Sequence, residues 1–220
     1  MREGCMNQRV DKRGSSIELI SIAMALLVLG GTAAPQDKPP EEASLRDKFG
    51  REIKDKDAAK RVEAIGRLAG AREEKTMALL VACLRDAAPE VRTSAAECIA
   101  GCFDGGGLAI APLCALLLNK KEDVAVRLAC ARALGKAHYR AEAIDALIQA
   151  ISSIDEKEKN LYKFGADCTA VLNEAAGQNF GAAKETPDRW KKWWQTDKAR
   201  IQQEDQERRA AYKKNKTKGG

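Results

Sequence analysis

A single histidine, His138, and an aromatic fraction of 5% are what these 220 residues have least of. No His-Ser or His-Cys pair can be drawn from the sequence alone, and His138, standing with Tyr139 after Leu134-Gly135, reads as a turn residue rather than a general base. Convincing β-strands are missing as well, so no glycine-rich phosphate loop follows one, and Gly105-Gly106-Gly107 reads as a turn between two helices. Carboxylates are plentiful, yet they stand at helix starts and on solvent faces. No catalytic, cofactor-binding or metal-ligating residue is nominated, and the chain is expected not to be an enzyme.

What is present points to helices. Hydrophobic residues make up 45% and charged residues 32%, in a text rich in Ala and Leu. That composition suits helices packed through small and aliphatic side chains and disfavours an all-β fold. The net charge of +6 is unevenly spread. Residues 188–220 hold eleven Lys and Arg against five Asp and Glu, whereas 35–187 hold 23 against 24. The basic excess belongs to the C-terminal part.

The beginning reads as an address. Arg2, Arg9, Lys12 and Arg13 precede an apolar run from Ile17 to Leu29, interrupted only by Glu18 and Ser21, which gives way to Gly30-Gly31-Thr32-Ala33-Ala34-Pro35. This is the order of a secretory signal peptide, with cleavage expected before Ala34 and residues 1–33 as the leader. An uncleaved anchor through residues 17–34 is the alternative, although the run is shorter than the ~20 apolar residues of a membrane-spanning helix. Residues 34–42, with Pro39-Pro40, read as a linker, and the folded body is expected from Ala43.

Three stretches then share a pattern: Lys60-Arg61-Val62-Glu63-Ala64-Ile65-Gly66-Arg67-Leu68, Val91-Arg92-Thr93-Ser94-Ala95-Ala96-Glu97-Cys98-Ile99 and Val126-Arg127-Leu128-Ala129-Cys130-Ala131-Arg132-Ala133-Leu134. In each, a small residue (Ala64, Ala95 or Cys130) stands three positions after the Arg, and a second run, centred on Leu80, Leu113 or Leu147, comes about twenty residues after it. The pattern predicts a helix–turn–helix unit used three times, with the small residues letting neighbouring helices approach closely. Asp57, Asp86 and Asp123 precede the first helices, where acids complement a helix N-terminus. This text resembles the HEAT-repeat family over residues 55 to 152. The first unit departs from the family pattern, with Lys60-Arg61 where Val-Arg is usual. The resemblance implies an all-α fold, a short α-solenoid of about three HEAT-like pairs over 43–154, whose second helices line a concave protein-binding face.

Leu108 to Leu118 contains no polar side chain apart from Cys114. A helix apolar all round is expected to be covered all round, by flanking repeats and a terminal segment, or else to offer a groove to a partner helix or peptide. Ile110, Leu113, Leu117, Ile144, Leu147 and Ile148 are assigned to the core beneath that surface.

Residues 155–196 are expected to cap the array. Asp167–Ala176 reads as a helix stopped by Gly177, and Thr186-Pro187-Asp188 as a helix start with Thr186 as cap. Trp190, Trp193 and Trp194 then share one helix face, expected to close the open end of the core, with a ligand or nucleic-acid stacking surface as the alternative. The Gly177-Gln178-Asn179-Phe180-Gly181 … Trp190-x-x-Trp193-Trp194 arrangement is similar to a tail module of bacterial secreted HEAT-repeat proteins. Residues 197–220 show no apolar stripe and are read as a charged, basic, partly disordered tail.

Past the leader, Cys83, Cys98, Cys102, Cys114, Cys130 and Cys168 show no Cys-x-x-Cys spacing. Buried free thiols are expected; one disulfide, or a metal on Cys98 and Cys102, are the alternatives. The functional expectation is a noncatalytic, exported interaction scaffold with no cofactor, binding a protein partner whose contact residues stay unassigned. The alternative is a nucleic-acid-binding repeat protein acting through the basic tail.

Overall fold

A computed structural model of the chain describes residues 49–68, 74–102, 107–154, 161–181 and 186–218. The chain divides into two units between Asp37 and Lys38, and every described residue belongs to the second. The leader, the linker and the expected junction past residue 154 lie outside the described residues.

After a helical turn over 49–52, eight helices follow among the described residues, and no strand. They are α1 (Ala58–Arg67), α2 (Glu74–Cys83), α3 (Pro89–Gly101), α4 (Ile110–Leu118), α5 (Val124–Gly135), α6 (Ala141–Ser152), α7 (Tyr162–Ala176) and α8 (Thr186–Lys218). Local chemistry sets several of their ends. Asp57 caps α1 by accepting the Ala59 N–H at 2.9 Å, and Asp123 caps α5 through the Ala125 N–H at 2.7 Å. α3 opens on Pro89 instead, where the missing N–H costs nothing. α7 ends at Gly177, whose φ of 65° lets the Gln178 N–H turn back to the Asn173 carbonyl.

The helices pack in a regular order. α1 packs on α3, α3 on α5 and α5 on α7, while α4 packs on α6 and α6 on α8. α2, α4 and α6 each also pack on the helix that follows them. Ala64, Ala95 and Cys130 are all buried, consistent with close approach along the odd-numbered helices, and Leu80, Leu113 and Leu147 are buried in the second helices.

The repeated arginines join these units through hydrogen bonds. Arg61 forks onto Asp86, with Nε to Oδ2 at 2.8 Å and Nη2 to Oδ1 at 2.7 Å, and its Nη1 donates to the Asp55 and Lys56 carbonyls. Arg92 repeats the scheme one unit later, with Nη2 on Glu122 at 2.6 Å and Nη1 on the Asp86 and Ala87 carbonyls. Arg127 is 3% exposed, donates from Nε to the Leu117 carbonyl at 2.9 Å and lies 4.4 Å over the Phe164 ring. Asp86 therefore differs from Asp57 and Asp123: it receives Arg61 and the Ala88 N–H, while Ala88 stands at the cap of α3.

Two corrections concern the C-terminal part. α7 begins at Tyr162 rather than Asp167, because Phe164 is buried and extends the packed face by a turn. Thr186 is the first helical residue of α8 rather than its cap, and its hydroxyl donates to the Gly181 carbonyl.

Residues 197–218, read from the sequence as a partly disordered tail, continue α8 in the structure. Contacts that periodicity does not reveal hold this segment. Ile201 is 1% exposed and Asp205 6%, and Asp205 Oδ2 accepts the Ala141 N–H at 2.7 Å, so α8 caps α6 from a distant part of the chain. Arg140 pairs with Glu204, Arg209 pairs with Glu142 and lies over the Tyr139 ring, and Arg208 reaches the His138 carbonyl. Tyr139 in turn fills the space beside Gly107, where a Cβ would stand 2.9 Å from its ring at a φ of 71°.

The three tryptophans belong to the same docking. Trp190 and Trp194 are buried and Trp193 half-buried, with Phe180 edge-on to Trp190 at 4.7 Å between centroids. Trp194 Nε1 donates to Asp145 of α6 at 2.6 Å. The aromatic face thus packs into the core.

Candidate functional site

The apolar run Leu108–Leu118 is buried on one side only. Ile110, Leu113 and Leu117 point inward and are buried, as are Ile144, Leu147 and Ile148 of α6. The opposite side of α4 is open. Leu108 is 46% exposed, Ala111 and Ala115 are exposed, and Pro112, Cys114, Leu116 and Leu118 are half-buried. Leu108, Ala111, Ala115 and Leu118 recur at helical spacing and make one solvent-facing stripe. The expectation that this face is covered all round is therefore corrected. α5 and α6 cover part of the helix, and the terminal helix α8 packs on α6.

The neighbouring second helices differ in how their outer faces end. On α2, Ala78 and Ala82 are exposed and Leu79 and Val81 half-buried, which continues the apolar character of α4. On α6, Glu142 and Asp145 are engaged by Arg209 and Lys198 of α8. α8 thus closes α6, whereas α2 and α4 present small and aliphatic side chains to solvent. The sequence signal for this surface was the missing polar side of α4, read there with covering as one of two outcomes.

Other sequence-nominated residues lie elsewhere. The six described cysteines are free thiols, and Cys83, Cys98, Cys130 and Cys168 are buried. Burial pushes Cys130 and Cys168 up to about 12, and Cys83 and Cys114 up to about 11. Burial, together with the neighbouring Cys102 thiol, lifts Cys98 to about 12. Thiols so placed are poor nucleophiles at neutral pH.

One pocket of about 110 Å³ lies where the end of α3 meets the start of α4 and the end of α5, lined by Ile99, Cys102, Ile110, Leu113, Lys136 and His138 among others. It brings His138 and Cys102 to one place, which the sequence could not do. Its volume is well below the ~300–1,000 Å³ of ordinary ligand clefts.

No family model matches the chain, and no curated protein matches it. Among the described residues no helix is long and apolar enough to cross a membrane. The reading of function therefore rests on the packing and surface described above.

Proposed function

We propose that the chain is a noncatalytic protein-binding scaffold, a short α-solenoid of HEAT-like helix pairs in which α7 and α8 form the terminal cap, exported under its N-terminal leader. The unit-to-unit packing supports the solenoid reading, as do the arginine forks, which use the same carbonyl offsets at Arg61 and Arg92. The observation that carries the binding role is the open apolar face of α4. Exposed apolar surface of this kind, bounded by polar residues, marks interaction sites in soluble proteins.

The test uses the tagged full chain expressed in its own cell. The native N-terminal residue in the exported fraction is expected to be Ala34, and a protein partner should be recovered with wild type but not with Ala115→Glu of unchanged helical circular dichroism. Recovery of the same proteins by both chains would refute the role of α4. The basic end of α8 gives nucleic acid a specific foothold, since Lys213, Lys214 and Lys216 are exposed. Duplex DNA binding that falls steeply with salt and vanishes on deleting 198–220 would favour that reading instead.

A further inference from the structure

We infer that the segment received by this face is an amphipathic helix of a protein partner with carboxylates clustered at one end, an inference that rests on the scaffold reading above. Charge selects this partner. After Glu74, neither α2 nor α4 contains an acid. Among the described residues, the exposed charges at the C-terminal ends of these helices include Arg85 just past α2 and Lys120 and Lys121 just past α4, with Lys75 at the start of α2; Glu142 of α6, which lies beside Cys114, is taken up by Arg209. Arg92 ties the two turns together, with Nη1 on the Asp86 and Ala87 carbonyls and Nη2 on Glu122. Arg85 and the two lysines therefore share one edge.

Asp86, Glu122 and Asp123 on that edge face inward or serve the backbone. Asp86 holds the Arg61 fork, Glu122 accepts from Arg92 and from the Asp123 N–H, and Asp123 caps α5. Glu90, in the first turn of α3, stays exposed. Lys120 reaches the Ser153 carbonyl, whereas Arg85 and Lys121 form no ion pair among the described residues. An apolar strip ending in cations complements an apolar strip ending in carboxylates.

The partner class follows from side-chain size. The exposed centre of each helix is alanine, at Ala78 and Ala82 on α2 and at Ala111 and Ala115 on α4. Small residues let the ridges of another helix approach closely. They provide no aromatic platform for stacking a base, and on this face Leu108 alone is a well-exposed bulky side chain of the kind an interfacial membrane helix uses in number.

The test measures fluorescence anisotropy of a labelled synthetic amphipathic helix of about four turns, with Leu at helical spacing and three Glu at one end, against the purified full chain. A second peptide carries Lys in place of those Glu. The Glu peptide is expected to bind about tenfold more tightly than the Lys peptide and to weaken with salt, as interactions of exposed charges do. Arg85→Glu with Lys121→Glu should reverse the preference, while Ala115→Glu should weaken both peptides. Equal binding of the two peptides with no reversal overturns the acidic-partner inference; if Ala115→Glu still weakens both, the scaffold reading survives. If Ala115→Glu changes neither, both readings fall. No binding of either peptide, or binding of duplex DNA or of vesicles of equal phosphatidylcholine and phosphatidylglycerol as tight as that of the Glu peptide, also overturns the inference.

Discussion

Arg92→Ala is the substitution that most severely tests how the units are held together. The guanidinium gives Nη2 to Glu122 at 2.6 Å and Nη1 to two backbone carbonyls, while its buried Nε has no acceptor among the described residues. The two side chains are only 16% and 8% exposed. Removing one member of a buried pair typically costs ~3–5 kcal/mol. Residual exposure and the unsatisfied Nε place this pair at the low end, about 3 kcal/mol. For a chain of this size that corresponds to a fall in Tm of roughly 6–12 °C, read by calorimetry or circular dichroism. Arg67→Ala is the control. Arg67 pairs with Glu52 and Glu63 but is 42% exposed, and its loss should cost no more than ~1 kcal/mol. Arg92→Lys keeps the charge but not the planar fork and should recover less than half of the loss. In a double-mutant cycle with Glu122→Gln, the two effects should be strongly non-additive. If Arg92→Ala matches Arg67→Ala, or the cycle shows no coupling, the view of the arginines as clamps between units is wrong.

Three further outcomes follow from the packing. Trp194→Phe should cost about 1–2 kcal/mol through the bond to Asp145, and that part of the cost should vanish in an Asp145→Ala background, measured by urea denaturation. Asp205→Ala should lower stability by ~1–2 kcal/mol and speed proteolytic cleavage beyond residue 196, with Asp205→Asn milder because it keeps an acceptor for the Ala141 N–H. The Cys130 and Cys168 thiols titrate higher in the folded chain than in the unfolded one, so the folded state holds their protons longer. Their contribution is complete below the ordinary thiol range and is lost as pH rises from about 9 towards 12. Denaturation midpoints should therefore decline in alkali, less steeply in Cys130→Ala; equal slopes would contradict it.

At the acid end the sign reverses. Burial pushes the Asp86 carboxyl up, but the Arg61 fork and the Ala88 N–H outweigh it and hold it below its ordinary value. Its stabilisation is present above the ordinary carboxylate range and is lost as pH falls through the depressed value.

Much of the fold was legible because its signals are local and periodic. The spacing of Arg61, Arg92 and Arg127, the small residue three positions on, and the Leu-centred second runs all describe one helix face at a time. Gly177 and the tryptophan face belong to the same kind of signal. What the arginines grip was hidden, because Asp86 and Glu122 lie 25 and 30 residues further along the chain. Docking of the last helix was hidden for a similar reason. Ile201, Asp205 and Arg209 are too sparse to form an apolar stripe, and their partners Ala141, Tyr139 and Glu142 lie on a different helix or in the turn before it. The binding face was half legible: absence of polar residues marked Leu108–Leu118, but only the packing shows that its outer side faces solvent.

On the proposed function, a protein partner sits on the open side of α4. A photo-crosslinking amino acid at position 115, compared in the native compartment with one at position 97 on the exposed side of α3, tests it most directly. A discrete adduct with one protein at 115 and none at 97, lost when Ala111→Glu is added, is the predicted result. The same adducts from both positions, or none at 115, would contradict it.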